Sequence, residues 1–404
     1  MSSSTQHGPV TPPTAREKAA VFLTGFSAFL TLYAPQPVLP DMARSLQVTA
    51  AVAGSVIGAT TLAVAAVAPL AGPLVDRFGR KRMVLAGLLA LVPLNLLLAF
   101  CSTLTQVLAV RFLEGAVLPA VFAGATALIA TRWHGIAAAA MGLYVSGSAM
   151  GGFAGRLIAG LSVDSLGWQG GFLVLALVSL PCLPLIQRWL PDDGAHHQDG
   201  AVGGHLEAIL RLVRDPRLLA ACLFGAVALF SMTGTLSYIG FRLAGPPFSL
   251  SAAMIGGVFL IYPVGAAVVP FNGRLLRWFG PRGGLLAALA ICATGVAALM
   301  VPHLAVTTLG IAVFISGVFL CQSLALSFVG RIAGRNKGAA AGLYVSSFYL
   351  GGSLGSVVCG LAWQSWGWTG CAVVVLTALA IGAGAALGMR EERLARPVAG
   401  LAQA

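Results

Sequence analysis

The sequence predicts an all-α membrane protein of twelve transmembrane helices, folded as two pseudo-symmetric six-helix bundles. Three observations carry this. Of 404 residues, 58% are apolar and only 9% charged, whereas a soluble domain carries roughly a quarter charged residues. The apolar residues collect in runs of about 20, the length that crosses a bilayer core as a helix. Residues 142–170 also return at 342–370, with fourteen of twenty-nine positions identical.

In chain order the expected spans are 18–39, 50–71, 83–101, 104–130, 135–162, 170–190, 217–239, 251–272, 282–301, 304–330, 336–362 and 369–389. Residues 1–17 are polar and Pro-rich, without the apolar core and cleavage site of a signal peptide, and read as a disordered cytoplasmic tail. Residues 18–190 and 217–389 form the two bundles, 191–216 a cytoplasmic linker, and 390–404 a second cytoplasmic tail. In the linker, Leu206, Ile209, Leu210 and Val213 share one helical face, which suits a short helix lying on the inner leaflet.

Charge sets the orientation. With the N-terminus inside, twenty of the 24 Lys and Arg residues fall in cytoplasmic segments, while Arg44 and Arg242 fall outside and Arg111 and Arg156 lie within spans. Basic loops stay in the cytoplasm, so both termini are placed there and the net charge of +12 marks a membrane surface, not a nucleic-acid partner. The location that follows is a bacterial-type inner membrane. The seven Cys are scattered without paired spacing and read as small buried side chains; His196-His197 reads as solvated linker. No metal or cofactor is expected.

The repeat extends to glycines. Gly142, Gly151, Gly155 and Gly160 return as Gly342, Gly351, Gly355 and Gly360. Small residues four apart let helix backbones approach closely, which places the fifth and eleventh helices where two halves would slide past each other. A parallel repeat of this kind is a transporter architecture, with the substrate between the halves.

The turn from Gly72 to Arg82 concentrates charge between two spans: Asp76, Arg77, Arg80, Lys81 and Arg82. Gly273, Leu275, Phe279 and Gly280 echo Gly72, Leu74, Phe78 and Gly79, but Arg277 stands where the first half has Asp76. The acid therefore belongs to one half only. Gly72, Leu74, Asp76, Arg77, Gly79, Arg80 and Lys81 resemble the cytoplasmic loop between the second and third helices of the major facilitator superfamily. Arg111 with Gly115 resembles that family's fourth-helix motif. Gly142, Gly151, Gly155 and Gly160 follow the fifth-helix spacing of its drug/proton antiporters, although Arg156 stands where that motif has Pro and Ala159 where it has Gly. The stretch from Tyr33 to Pro40 is similar to the YnfM-type bacterial efflux permeases.

The resemblance implies that Asp76 meets the start of the eleventh helix, near Lys337 to Ala341, where unpaired amides carry partial positive charge. Such a contact would close the inner side; the alternative is a loop that only fixes topology. It also implies that helices one, four, seven and ten line a central cavity. The polar candidates there are Tyr33, Gln36, Ser231, Thr235, Tyr238, Gln322, Ser323 and Ser327, with Phe230, Phe241 and Phe319 as apolar neighbours. Breaks at Pro35, Pro37 and Pro40 leave carbonyls of the first helix without internal partners.

Arg111, Glu114 and Arg156 are ionisable at membrane depth, which costs roughly 2.5–3.5 kcal/mol each on insertion scales. Arg111 and Glu114, three apart, share a helix face. They read either as a mutually satisfied ion pair or as a proton carrier, Glu114, tuned by its Arg. Arg156 has no partner on its own helix; Asp164, Asp41, backbone carbonyls or an anionic substrate group could answer it. No Gly-Lys-Ser/Thr phosphate loop is present, so an ATP-driven pump and an enzyme are both disfavoured. The functional expectation is a monomeric secondary transporter exporting small molecules in exchange for protons. An importer or exchanger of a small anionic metabolite is the second reading, and a non-transporting receptor the third.

Overall fold

A computed structural model describes residues 13–192, 207, 209–334 and 337–389, and among these no strand occurs. The chain starts with α1 (Ala15–Leu30), whose first turn is closed by a capping box. The Glu17 amide donates to the Thr14 hydroxyl at 3.2 Å, and the Thr14 amide donates to the Glu17 carboxylate at 2.7 Å. The expected span 18–39 is not one continuous helix. It breaks over 31–35 because Pro35 and Pro37 cannot donate to the helix ladder, passes through a 3₁₀ turn (Gln36–Val38), and resumes as α2 (Leu39–Ser45).

Next come α3 (Ala50–Phe78), α4 (Arg80–Leu98), α5 (Leu104–Arg132), α6 (Ala137–Ser179) and α7 (Cys182–Trp189). After the linker follow α8 (Pro216–Ala244), α9 (Ala252–Val258), α10 (Tyr262–Val268), α11 (Asn272–Ala298), α12 (Leu304–Ile332) and α13 (Lys337–Gly388). Caps set several starts: Thr49 for α3, Thr103 for α5, and Asp215 followed by Pro216 for α8. Of the linker helix, residues 207 and 209–212 are helical, with Arg211 paired to Glu207 and Leu210 and Val213 exposed; Leu206 and the His pair lie outside the described residues.

Eight helical stretches among the described residues are long and apolar enough to cross a membrane. Three of them are much longer than a bilayer needs. A straight helix of 52 residues, the length of α13, would extend about 78 Å against a hydrocarbon core of about 30 Å. Instead α6, α11 and α13 fold back at Gly167, Gly280 and Gly367, where φ is 67°, 69° and 57°. Only glycine takes this left-handed conformation without a steric penalty. The folding back is visible in contacts: an added Cβ at Gly171 would lie 3.3 Å from the Ala159 Cα, and the Cys371 thiol sits 3.2 Å from the Cys359 carbonyl oxygen.

The packing of α6 on α1 recurs in α13 on α8 with the 200-residue offset of the sequence repeat. An added Cβ at Gly151 would lie 2.1 Å from the Phe26 carbonyl oxygen and at Gly155 1.7 Å from that of Leu30. Gly351 and Gly355 meet the Ala226 and Phe230 oxygens at 2.0 and 2.2 Å. These four glycines therefore seat a helix of their own half, not a sliding face between halves as expected. The cross-half approaches belong to Gly160, 2.7 Å from the Ala252 oxygen, and Gly360, 2.8 Å from the Ala51 Cα. Gly342 makes ordinary contact with Pro69 at 3.7 Å, and Gly142 packs against nothing within 4 Å. The packing role expected of Gly142 is not seen: Ala140 and Tyr144 beside it are buried, and Gly142 lies on a face of α6 that meets no neighbour. Gly115 of the fourth-helix motif and Gly147, which the sequence did not single out, are as tightly packed, at 2.1 Å from the Thr60 oxygen and 2.0 Å from the Phe22 oxygen.

Candidate functional site

The break in the first helix organises the buried polar groups. Past Leu30 the ladder stops: the Thr31 carbonyl accepts only a long turn bond from the Ala34 amide at 3.3 Å, and no backbone donor meets Leu32 among the described residues; an unmet buried carbonyl costs about 1–3 kcal/mol. Arg111 of α5 supplies the donors. Its Nη1 donates to the Thr31 oxygen at 3.1 Å and its Nη2 to the Leu32 oxygen at 2.6 Å. The same Nη1 lies 2.6 Å from Glu114 Oε2 in an ion pair with both side chains fully buried. Arg111 Nε and Glu114 Oε1 have no hydrogen-bond partner. The pair thus does two things: it neutralises charge and it caps the broken helix.

Arg156 of α6 is fully buried and makes no ion pair with any described residue. Its Nε donates to Gln36 Oε1 at 2.8 Å and its Nη1 to the Gly152 carbonyl at 2.6 Å, while Nη2 has no partner. The guanidinium lies over three rings, at 4.4 Å from Tyr262, 5.1 Å from Tyr33 and 5.2 Å from Phe259. A desolvated cation over an aromatic face gains about 2 kcal/mol, whereas desolvating the charge costs several. The rings offset part of that cost and supply no counter-charge. Neither Asp41, which pairs with Arg44, nor the exposed Asp164 reaches Arg156.

Gln36 joins this cluster to the second half through its Nε2, 3.5 Å from the Ser237 hydroxyl of α8. The other expected cavity residues divide. Tyr33 and Gln36 belong to the cluster. Ser231 and Thr235 are buried with hydroxyls lacking partners. Tyr238 is occupied, donating to the Ser356 carbonyl at 2.7 Å and ordering α8 against α13. Ser323 accepts from Asn272 at 2.7 Å, Ser327 is exposed, and Gln322 is half-buried. Tyr262 and Phe259 were not among the expected residues, because they fall on the eighth span and no local pattern links them to Arg156. A ladder of rings, Phe29 to Phe122 at 5.0 Å and Phe122 to Tyr349 at 6.2 Å, runs between the halves nearby.

At the end carrying the basic turns, Gly79 takes φ 94° and separates α3 from α4. Arg80 donates to the Thr131 hydroxyl at 2.8 Å, Arg77 lies over its neighbour Phe78, and Lys81 pairs with Asp192 at 2.8 Å. The hydrogen bond and charge of Lys81 hold the exposed Asp192 carboxyl below the usual carboxylate range. Asp76 is exposed and makes no hydrogen bond or ion pair with any described residue, so the expected contact with the start of α13 is not seen among them. Contacts between the halves run along α3 and α13, from Gln364 Nε2 donating to the Thr49 hydroxyl at 2.6 Å, past Gly54 against Tyr238 and Ser346 donating to the Ala65 carbonyl, to Gly342 beside Pro69 at 3.7 Å.

A helical chain with no strand among its described residues, glycine-folded hairpins, and charges buried within and between two halves is built as a membrane-spanning protein. The family model described as Major Facilitator Superfamily matches residues 21–356, and the chain belongs to that family. It is 31% identical to the uncharacterized MFS-type transporter YybF of Bacillus subtilis (strain 168), over 89% of this chain and 90% of that one. It is 29% identical to the inner membrane transport protein YnfM of Escherichia coli (strain K12), over 92% and 89%. Among solved structures, the nucleoside transporter NupG superposes with a TM-score of 0.75 over 93% of this chain and all of that one, at 14% identity, a likeness of fold. Members of the family are transporters rather than enzymes.

Proposed function

We propose that the protein exports small molecules across the inner membrane in exchange for protons, by alternating access. The observation that carries this is the buried Arg111–Glu114 pair, with Glu114 Oε1 left without a partner beside the break in the first helix. Arg111 is tied to the Thr31 and Leu32 carbonyls as well as to Glu114. A rocking motion that shifts α1 against α5 would loosen its hold on Glu114. A buried carboxylate that loses its cation neutralises by taking up a proton, which couples helix movement to proton entry.

The architecture behind this reading is two six-helix bundles, residues 18–190 and 217–389, in a monomer. Counting each folded-back stretch as two crossings, and the interrupted first helix as one, gives twelve. On this reading both termini are cytoplasmic and the basic end faces inward. A contact of Asp76 with the start of α13 would then belong to another state of the transport cycle.

In proteoliposomes screened with a panel of dyes, sugars and organic acids, a pH gradient should drive flux of at least one member. Glu114→Gln, which keeps the shape and cannot carry a proton, should abolish that flux while substrate exchange without a gradient persists. Undiminished gradient-driven flux in the variant would remove Glu114 from the coupling path. Asp76→Asn should insert normally yet slow transport roughly tenfold, since a charge at a helix N-terminus is worth up to about 2 kcal/mol. Wild-type flux in that variant, at equal expression, would reduce the loop to a topological signal.

A further inference from the structure

Among the buried ionised side chains of the described residues, Arg111 and Glu114 neutralise each other and Arg156 is left over. We infer that Arg156 is the docking point for an anionic group of the transported molecule, and that the substrate class is an organic carboxylate with an apolar or aromatic body. This rests on the reading of the protein as a transporter, and not on proton coupling.

Three features of the geometry support the assignment. The guanidinium spends Nε on Gln36 and Nη1 on the Gly152 carbonyl, both neutral acceptors, and Nη2 makes no geometric hydrogen bond, while the neutral Tyr262 side chain also interacts with the group. Those two bonds orient the group without neutralising it, and a planar carboxylate is the natural complement of a fixed guanidinium edge. The aromatic faces of Tyr33, Phe259 and Tyr262 lie against the same guanidinium, and Phe319 meets Tyr262 edge-on at 5.6 Å, extending the apolar wall. Tyr33, Phe259 and Tyr262 are buried and Phe319 is half-buried, so an apolar body attached to the carboxylate would reach this wall only as the halves part.

Position is the third feature. Tyr33, Gln36 and Gly152 come from the first half of the chain, Phe259 and Tyr262 from the second, and Gln36 also reaches Ser237 of the second half. An anion on Arg156 would therefore compete with contacts that join the halves. A lysine would not reproduce the arrangement, because its single ammonium cannot donate to Gln36 and Gly152 and still present a flat edge.

The test is ligand-dependent thermal stability of the purified full-length protein at pH 7.5, with benzoate, 2-naphthoate and octanoate as probes beside the matching amides and amines. At least one carboxylate should raise the unfolding temperature where its amide and amine do not. Arg156→Gln should weaken that carboxylate at least tenfold, and Arg156→Lys should retain a weaker response. Equal protection by amides or amines, no response to any of the three carboxylates, or unchanged binding in Arg156→Gln would overturn the assignment. If Arg156→Gln does not fold, the comparison of carboxylate with amide on the wild type still decides. Glu114→Gln separates the two readings. Loss of gradient-driven flux with carboxylate protection intact supports both, whereas wild-type flux indifferent to pH with protection intact would remove proton coupling and leave this site standing.

Discussion

Arg111→Leu is expected to lower stability by about 3–5 kcal/mol, the usual result of removing one member of a buried ion pair. The substitution leaves Glu114 charged and unanswered in a fully buried position. It also leaves the Leu32 carbonyl without its donor and the Thr31 carbonyl with only the Ala34 amide at the break in the first helix. The double variant Arg111→Leu, Glu114→Leu removes the stranded charge and should recover part of the loss, while the Leu32 carbonyl still lacks a donor at about 1–3 kcal/mol and Thr31 keeps only its turn bond from Ala34. Thermal unfolding in detergent of the single and double variants measures both. A double variant no more stable than the single one would mean that helix capping, and not charge balance, is what Arg111 supplies. Arg111→Lys should fall between wild type and Leu, since one ammonium cannot match two carbonyls and a carboxylate together.

Gly155→Ala is expected to be nearly as damaging, at about 3 kcal/mol or more. The added methyl would fall 1.7 Å from the Leu30 carbonyl oxygen, a backbone atom that cannot rotate away. Relief requires moving α1 outward just before the break that Arg111 holds. Gly355→Ala, facing the Phe230 oxygen at 2.2 Å, should behave similarly, whereas Gly142→Ala meets nothing within 4 Å and should be recovered at wild-type level. Monodisperse yield on size-exclusion chromatography compares the three directly. A well-folded Gly155→Ala protein would show that α1 and α6 are not locked together as the structure has them.

Some of this was legible in the chain itself. The prolines at 35 and 37 announce that the first helix cannot run through, and the spacing of Arg111 and Glu114 places them on one helix face. The glycines repeated at an offset of 200 announce that one packing motif is used twice. What the repeat does not reveal is which neighbour each glycine serves. Gly155 and Gly160 look alike in sequence, yet one meets Leu30 of its own half and the other Ala252 of the second. Gly167, Gly280 and Gly367 read as ordinary boundary residues, and only their backbone conformation identifies them as the points where helices turn back.

By itself the sequence determined that the protein is helical, lies in a membrane and is internally duplicated. Those properties follow from the order of apolar and charged residues along a line, and hydropathy acts on each segment where it stands. Only the tertiary structure decided which buried charges are answered. Arg111 meets carbonyls about eighty positions earlier, and Arg156 meets an amide 120 positions earlier and rings about a hundred positions later. Burial makes an unanswered charge costly, but the partner that answers it is chosen by how distant helices happen to pack, and no local pattern records that choice.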